Sequence, residues 1–170
     1  MVIAILKTIP QLSPLPMAKT VADVMTTDPI SVTPTTILKD AIQLLADNHI
    51  GGLPVIDDAN NLVGILSESD LMWQTTGVDV PAYIMLLDSV IYLKNPNQYN
   101  QELHKALGQL VKDVMTDKVI TITPDKSLRD AAHLMHDKKI RRLPVVNDQK
   151  QVVGMLTRGD IVREMASSTD

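Results

Sequence analysis

The chain repeats itself at a constant offset of 90 residues, and no other feature limits its fold as strongly. VADVMT at 21–26 returns as VKDVMT at 111–116. Thr33 and Pro34 return as Thr123 and Pro124, and Leu53, Pro54 and Val55 return as Leu143, Pro144 and Val145. Gly64 and Asp70 return as Gly154 and Asp160. No gap interrupts the match from Val21 to Met72, and about two in five positions are identical. The chain is therefore a duplicated unit. One copy is too short to bury a sheet face alone, so the two are expected to pack together, sheet against sheet.

Each copy reads as strand, helix, strand, strand, helix. Residues 30–33 and 120–123 alternate and precede or include a proline step, which predicts short strands. Leu38, Ala41, Ile42 and Leu45 recur at helical spacing, as do Leu128, Ala131 and Met135. Ser127 with Asp130 predicts a capping box, and Thr36 is the cap expected in copy one. Residues 53–56 and 143–146 read as buried strands, and 62–66 and 152–156 as their hairpin partners. The Asp- and Asn-rich stretches between them favour turns. Gly64 and Gly154 lie inside strands, which signals close approach of a backbone or a ligand. Second helices are expected to begin near Asp70 and Asp160.

These boundaries divide the chain into an N-terminal segment (1–20), a first unit (21–72), a helical insert (73–110), a second unit (111–165) and a tail (166–170). In the insert, Asp79 and Pro81 suit a helix start, and Ile84, Leu87 and Ile91 give it an apolar face. Residues 101–110 read as a further helix. So apolar an insert is expected to pack on the module or on a second chain.

Composition excludes several function classes. A formal net charge of -4 provides no basic footprint for nucleic acid. No apolar run reaches membrane length. The start, MVIAILKTIPQLSPL, resembles a short signal peptide but lacks a charged leading region and is broken by Pro10, Pro14 and Pro16; a cytoplasmic location is expected. With no Cys there is no disulfide, thiolate nucleophile or thiolate metal site. His133 and His136 are three apart on a helix, but no third ligand is evident, so no metal is expected. In a chain without Phe, the nine Met residues read as core filler rather than as an adaptable surface. Neither a Walker A motif, a Rossmann fingerprint nor a nucleophile elbow occurs, which points to a binding module and not an enzyme.

Two patterns carry chemistry. Ser67 and Asp70, like Thr157 and Asp160, place a hydroxyl three residues before an acid at a strand-to-helix junction. The carboxylate suits a ribose diol, and the hydroxyl and free helix N–H groups suit phosphate. The same residues also suit plain helix capping, and both roles are compatible. Arg141 and Arg142 offer planar charge-assisted donors to phosphate, or are solvated surface charges. Copy one has Gly51 and Gly52 there, so the strand does not require the charge.

Together, Val-x-Asp-Val-Met-Thr, the Leu-Pro-Val strand, the strand glycine and Ser/Thr-x-x-Asp, each occurring twice in order, resemble the tandem cystathionine-beta-synthase (CBS) domain pair. The insert GVDVPAYIMLLDSVIY further resembles that of single CBS-pair proteins of cyanobacteria and plant plastids. The resemblance implies an α+β fold, two βαββα units stacked through their sheets, and two related clefts. It implies a regulatory module that binds AMP, ADP or ATP, with S-adenosylmethionine the lesser candidate, and modulates a partner protein. Asp70 and Asp160 would meet ribose, with Ser67 and Thr157 beside them. Arg141, Arg142 and Arg158 would meet phosphate, and Thr26, Ile30, Ile120 and Pro144 would flank the base. It also implies a homodimer and, from the plastid relatives, a thioredoxin-system protein as partner. The alternative is a structural or dimer-forming protein with vestigial clefts.

Overall fold

The computed structural model of the chain describes residues 19–76, 83–86, 89–92 and 108–167. A 3-10 turn at Val21–Asp23 leads into β1 (Thr26–Thr27), α1 (Leu38–Asp47), β2 (Gly52–Ile56), β3 (Leu62–Ser67) and α2 (Glu68–Thr76). After β4 (Tyr83–Leu86) and β5 (Ser89–Tyr92), copy two follows as α3 (Val111–Val114), α4 (Leu128–Asp137), β6 (Arg142–Val146), β7 (Val152–Thr157) and α5 (Arg158–Ser167). This is the expected pair of βαββα units.

In each copy an antiparallel hairpin forms the sheet centre, β2 with β3 and β6 with β7. The strands expected at 30–33 and 120–123 contract to single parallel bridges, Val32 to Val55 and Ile122 to Val145. Each hairpin gains a further partner from the leader of the other copy. Thr26 and Thr27 pair with Met155 and Gly154 of β7, and Thr116 pairs with Ile65 of β3. The exchange continues upstream: the amide of Val21 donates to the Lys126 carbonyl at 2.8 Å, and that of Val111 to Thr36 at 3.0 Å.

The cores follow the same exchange. Val111 and Val114 pack with Val32, Leu38, Ala41, Leu45, Leu53, Val55 and Leu66 of copy one. Val21 packs with Leu128, Ala131, Met135, Leu143 and Leu156 of copy two. The helical stripes read from sequence are the buried faces of α1 and α4, although Ile42 lies at the edge and is exposed. The strand glycines permit the crossing. A Cβ at Gly154 would collide with the Met25 sulfur and approach the Thr26 carbonyl at 3.1 Å, and one at Gly64 would stand 3.2 Å from the Thr116 carbonyl. The close approach expected at these glycines is thus that of the other copy's leader strand.

Two local expectations are corrected. The Thr36 hydroxyl accepts from the Thr33 amide at 3.0 Å instead of capping α1, whose N-cap is Ile37. Ser127 does cap α4, accepting from the Asp130 amide at 3.1 Å. The helix expected over Ile84, Leu87 and Ile91 is replaced at the described residues by a hairpin, with Ile84 opposite Ile91. Residues 83–84 and 90–92 are β-branched or aromatic, and such residues favour a pleated strand over a helix. The expected N-terminal segment up to residue 18, the start of the insert at Asp79, Leu87, and residues 101–107 lie outside the described residues. Gly108 to Leu110 are not helical.

Candidate functional site

The two copies meet around a cleft of about 530 Å³. One wall is the copy-one leader from β1 onward, with Thr26, Asp28, Pro29 and Ile30. A second is the turn from α1 into β2, residues 49–52. The floor and far wall come from copy two: Arg141 and Arg142 at the start of β6, Met155 and Thr157 of β7, and the first turns of α5. The wall positions depend on unusual backbone. Asp28 and His49 have positive φ, 49° and 52°. His49 ends α1 in the left-handed conformation that usually favours glycine, and this brings residues 50–52 back toward the cleft. Ile30 is 40% exposed and provides an apolar surface beside these polar groups.

The junction of β7 and α5 realises the capping reading of Thr157 and Asp160. The Asp160 amide donates to the Thr157 hydroxyl at 3.3 Å. In return, one Asp160 oxygen accepts from the Thr157 amide at 2.7 Å and from its hydroxyl at 2.6 Å. The other oxygen pairs with Arg163. Asp160 is only 7% exposed, yet it lines the cleft. A carboxylate has about four acceptor positions. Three are used here, so capping leaves capacity for a ligand hydroxyl.

At the β3–α2 junction Asp70 reaches back in the same way, accepting from the Ser67 amide at 3.0 Å and from its hydroxyl at 2.7 Å. Asp70, 6% exposed, also accepts from the Thr116 hydroxyl at 2.9 Å, so a residue of copy two stands over it. Ser67, Asp70 and Ile120 do not line the 530 Å³ cleft; they are the repeat equivalents of residues that do. Pro144 is fully buried in β6, and its carbonyl accepts from the Ile122 amide at 3.2 Å, so it belongs to the core and not to the lining.

The arginines differ in their engagements. Arg158 donates through Nε to the Ile140 carbonyl at 3.0 Å and through Nη2 to the Met135 carbonyl at 3.3 Å, tying off the carboxyl end of α4. Arg142 donates to Glu68 at 3.0 Å. Arg163 is held by Asp160. Arg141 is exposed at the cleft, and its guanidinium makes no hydrogen bond or ion pair among the described residues. Arg163 and Asp28 are not among the site residues expected from sequence, and His49 reads there as an isolated structural or surface residue, yet all three line the cleft. Arg163 was legible, because it lies one helical turn beyond Asp160 on the same face. Nothing in the sequence marks His49 or Asp28, since their place depends on backbone conformations unusual for side-chain-bearing residues.

Among the described residues no three His, Cys, Asp or Glu side chains converge as a metal site, and no helix is long and apolar enough to cross a membrane. A family model described as the CBS domain matches residues 21–74 and 111–167. A protein of Methanocaldococcus jannaschii of uncharacterised function is 36% identical over 144 residues, covering 81% of this chain and 86% of its own. The chloroplastic CBS domain-containing protein CBSX2 of Arabidopsis thaliana is 37% identical over 134 residues, covering 78% of this chain; the match spans 56% of the plant protein. A crystal structure of CBSX2 in complex with AMP superposes with a TM-score of 0.76 at 35% identity, covering 89% of this chain and 99% of that one.

Proposed function

This chain belongs to the CBS domain family as a tandem CBS pair resembling the plant plastid CBSX-type proteins, and on that premise we propose that its cleft binds AMP, ADP or ATP and that occupancy modulates a partner protein. CBS-pair modules are regulatory rather than catalytic, and they bind adenine-type ligands. The observation that carries the reading is the buried Asp160, which lines a cleft that also contains Arg141, whose guanidinium is unengaged among the described residues. A ribose hydroxyl takes the remaining acceptor position of Asp160, and a second takes its place when the exposed Arg163 swings away. The base lies against Ile30, and the α-phosphate meets Arg141. The AMP complex of CBSX2, at 35% identity, supports the ligand class.

Arg141 supplies the phosphate test. Arg141→Ala is expected to weaken AMP about tenfold and to leave adenosine unchanged, because a charge-assisted hydrogen bond contributes roughly 1.5–3 kcal/mol and is partly screened at an exposed site. Calorimetry with both ligands measures this, and an equal loss for adenosine removes the phosphate assignment. S-adenosylmethionine belongs in the same titrations. Tight binding of it alone would replace the nucleotide reading.

The module is also proposed to form a homodimer through its second helices. Met72 of α2 and Val162 of α5 occupy equivalent positions of the repeat and are 54% and 62% exposed, with Met165 one turn further along. Ile161, next to Val162 in α5, is buried in the core of copy two and takes no part in this face. Light scattering at tens of micromolar is expected to give twice the 18.7 kDa chain mass, falling to the monomer in a Val162→Glu, Met165→Glu variant. A monomeric wild type refutes the dimer. The regulated partner, with a thioredoxin-system protein as the candidate from resemblance, is to be sought by nucleotide-dependent binding.

A further inference from the structure

Glu68 and Arg142 belong to opposite copies, yet they are joined at 3.0 Å. Arg142 lines the cleft that contains Asp160, whereas Glu68 does not. Glu68 begins α2, at the position that Arg158 holds in copy two. The route between them runs over Gly51 and Gly52. A Cβ at Gly52 would lie 2.9 Å from Arg142 Cδ. One at Gly51 would collide with the guanidinium and stand 2.7 Å from the Glu68 carboxylate. The glycines thus form the trough in which Arg142 lies. The symmetric bridge cannot form, because the counterpart of Arg142 is Gly52 and that of Glu68 is Arg158.

We propose that Glu68 is a built-in competitor for phosphate: it holds Arg142 away from the cleft ligand, so that each nucleotide phosphate beyond what Arg141 serves must first displace it. This inference rests on the nucleotide reading above. The exposures favour a breakable bridge, since Glu68 is 64% exposed and so gains its full hydration on release, while Arg142, at 19%, stays at the cleft wall. The carboxylate stands where a phosphate oxygen would, as an acceptor for the planar guanidinium. Glu68 therefore sets charge preference without touching the ligand. It weakens phosphate-bearing ligands relative to adenosine, and does so through Arg142.

Calorimetry on the full chain with adenosine, AMP and ATP tests this in wild type, Glu68→Gln, Arg142→Ala and the double variant. Glu68→Gln is expected to tighten ATP, and AMP by no more than ATP, about one-and-a-half- to fivefold, the range of an exposed ion pair. Adenosine is expected to stay unchanged. In the Arg142→Ala background the Glu68→Gln gain is expected to vanish, which separates competition for the arginine from simple removal of a negative charge. A gain of equal size in both backgrounds, an equal gain for adenosine, or no gain at all overturns the proposal while leaving the nucleotide reading intact. A wild type that binds none of the three ligands overturns the reading itself, and the competitor role with it.

Discussion

Asp160→Ala is expected to weaken AMP and adenosine by the same factor, ten- to more than a hundredfold. The equality is the informative part. Both ligands carry the ribose diol, and only one carries a phosphate, so a ribose ligand and a phosphate ligand leave different signatures. The size follows from removing a buried acceptor that would take charge-assisted hydrogen bonds, each contributing about 1.5–3 kcal/mol. Asp160 also closes the capping box with Thr157, so the variant should lose about 1 kcal/mol of stability. A thermal melt run beside the calorimetry removes that effect from the comparison. Asp70→Ala provides the contrast. Asp70 accepts from the Ser67 amide and hydroxyl and from Thr116, but it does not line this cleft. Its loss should cost stability and leave affinity at the described cleft largely intact. Unchanged affinity in folded Asp160→Ala would reduce that carboxylate to a helix cap.

The sequence made the repeat, the helical stripes and the hairpins legible because each depends on neighbours close along the chain. Leu38, Ala41 and Leu45 bury one helix face whatever the sheet does. The pairing of the leaders was not legible. Thr26 pairs with Met155 across a distance in sequence that no local periodicity records, and the motif VADVMT looks the same whichever sheet it joins. In the insert, Ile84, Leu87 and Ile91 satisfy a helical spacing, whereas the β-branched and aromatic residues around them favour the hairpin that forms. Among the site residues, the spacing of Thr157 and Asp160 specified the box. The destinations of the arginines depended on tertiary partners: Arg158 on carbonyls at the end of α4, and Arg142 on Glu68 of the other copy. The contrast between Gly51–Gly52 and Arg141–Arg142 was visible as a charge difference. In the structure it is also a fit, glycines on one side making room for an arginine from the other.

The exchange of leaders leads to the largest stability effect expected of a single substitution. Val111 is the first residue of α3, where copy two begins, but its side chain is fully buried in the core of copy one, with Leu38, Leu53 and Leu66. Val111→Asp places an unpaired charge there, at a cost of about 3–5 kcal/mol, a large share of the roughly 5–15 kcal/mol that holds a domain folded. Val111→Ala, a milder variant that removes two methyl groups, should cost roughly 2 kcal/mol. Urea unfolding gives the size, and amide hydrogen exchange gives the location. In Val111→Ala, residues 38–56 are expected to lose more protection than residues 128–146, although the substituted residue lies in copy two by sequence. Val21→Ala should do the reverse, because Val21 is fully buried against Leu128, Met135 and Leu143. If each copy were self-contained, each substitution would loosen its own copy, and that pattern would refute the exchange. Because each core is closed by the other copy's leader, neither can open alone without exposing apolar surface of both. The wild type should therefore unfold in a single transition, with the cleft lost in the same step: the leader bearing Thr26 and Ile30 is both a wall of the site and a strand of the opposite sheet.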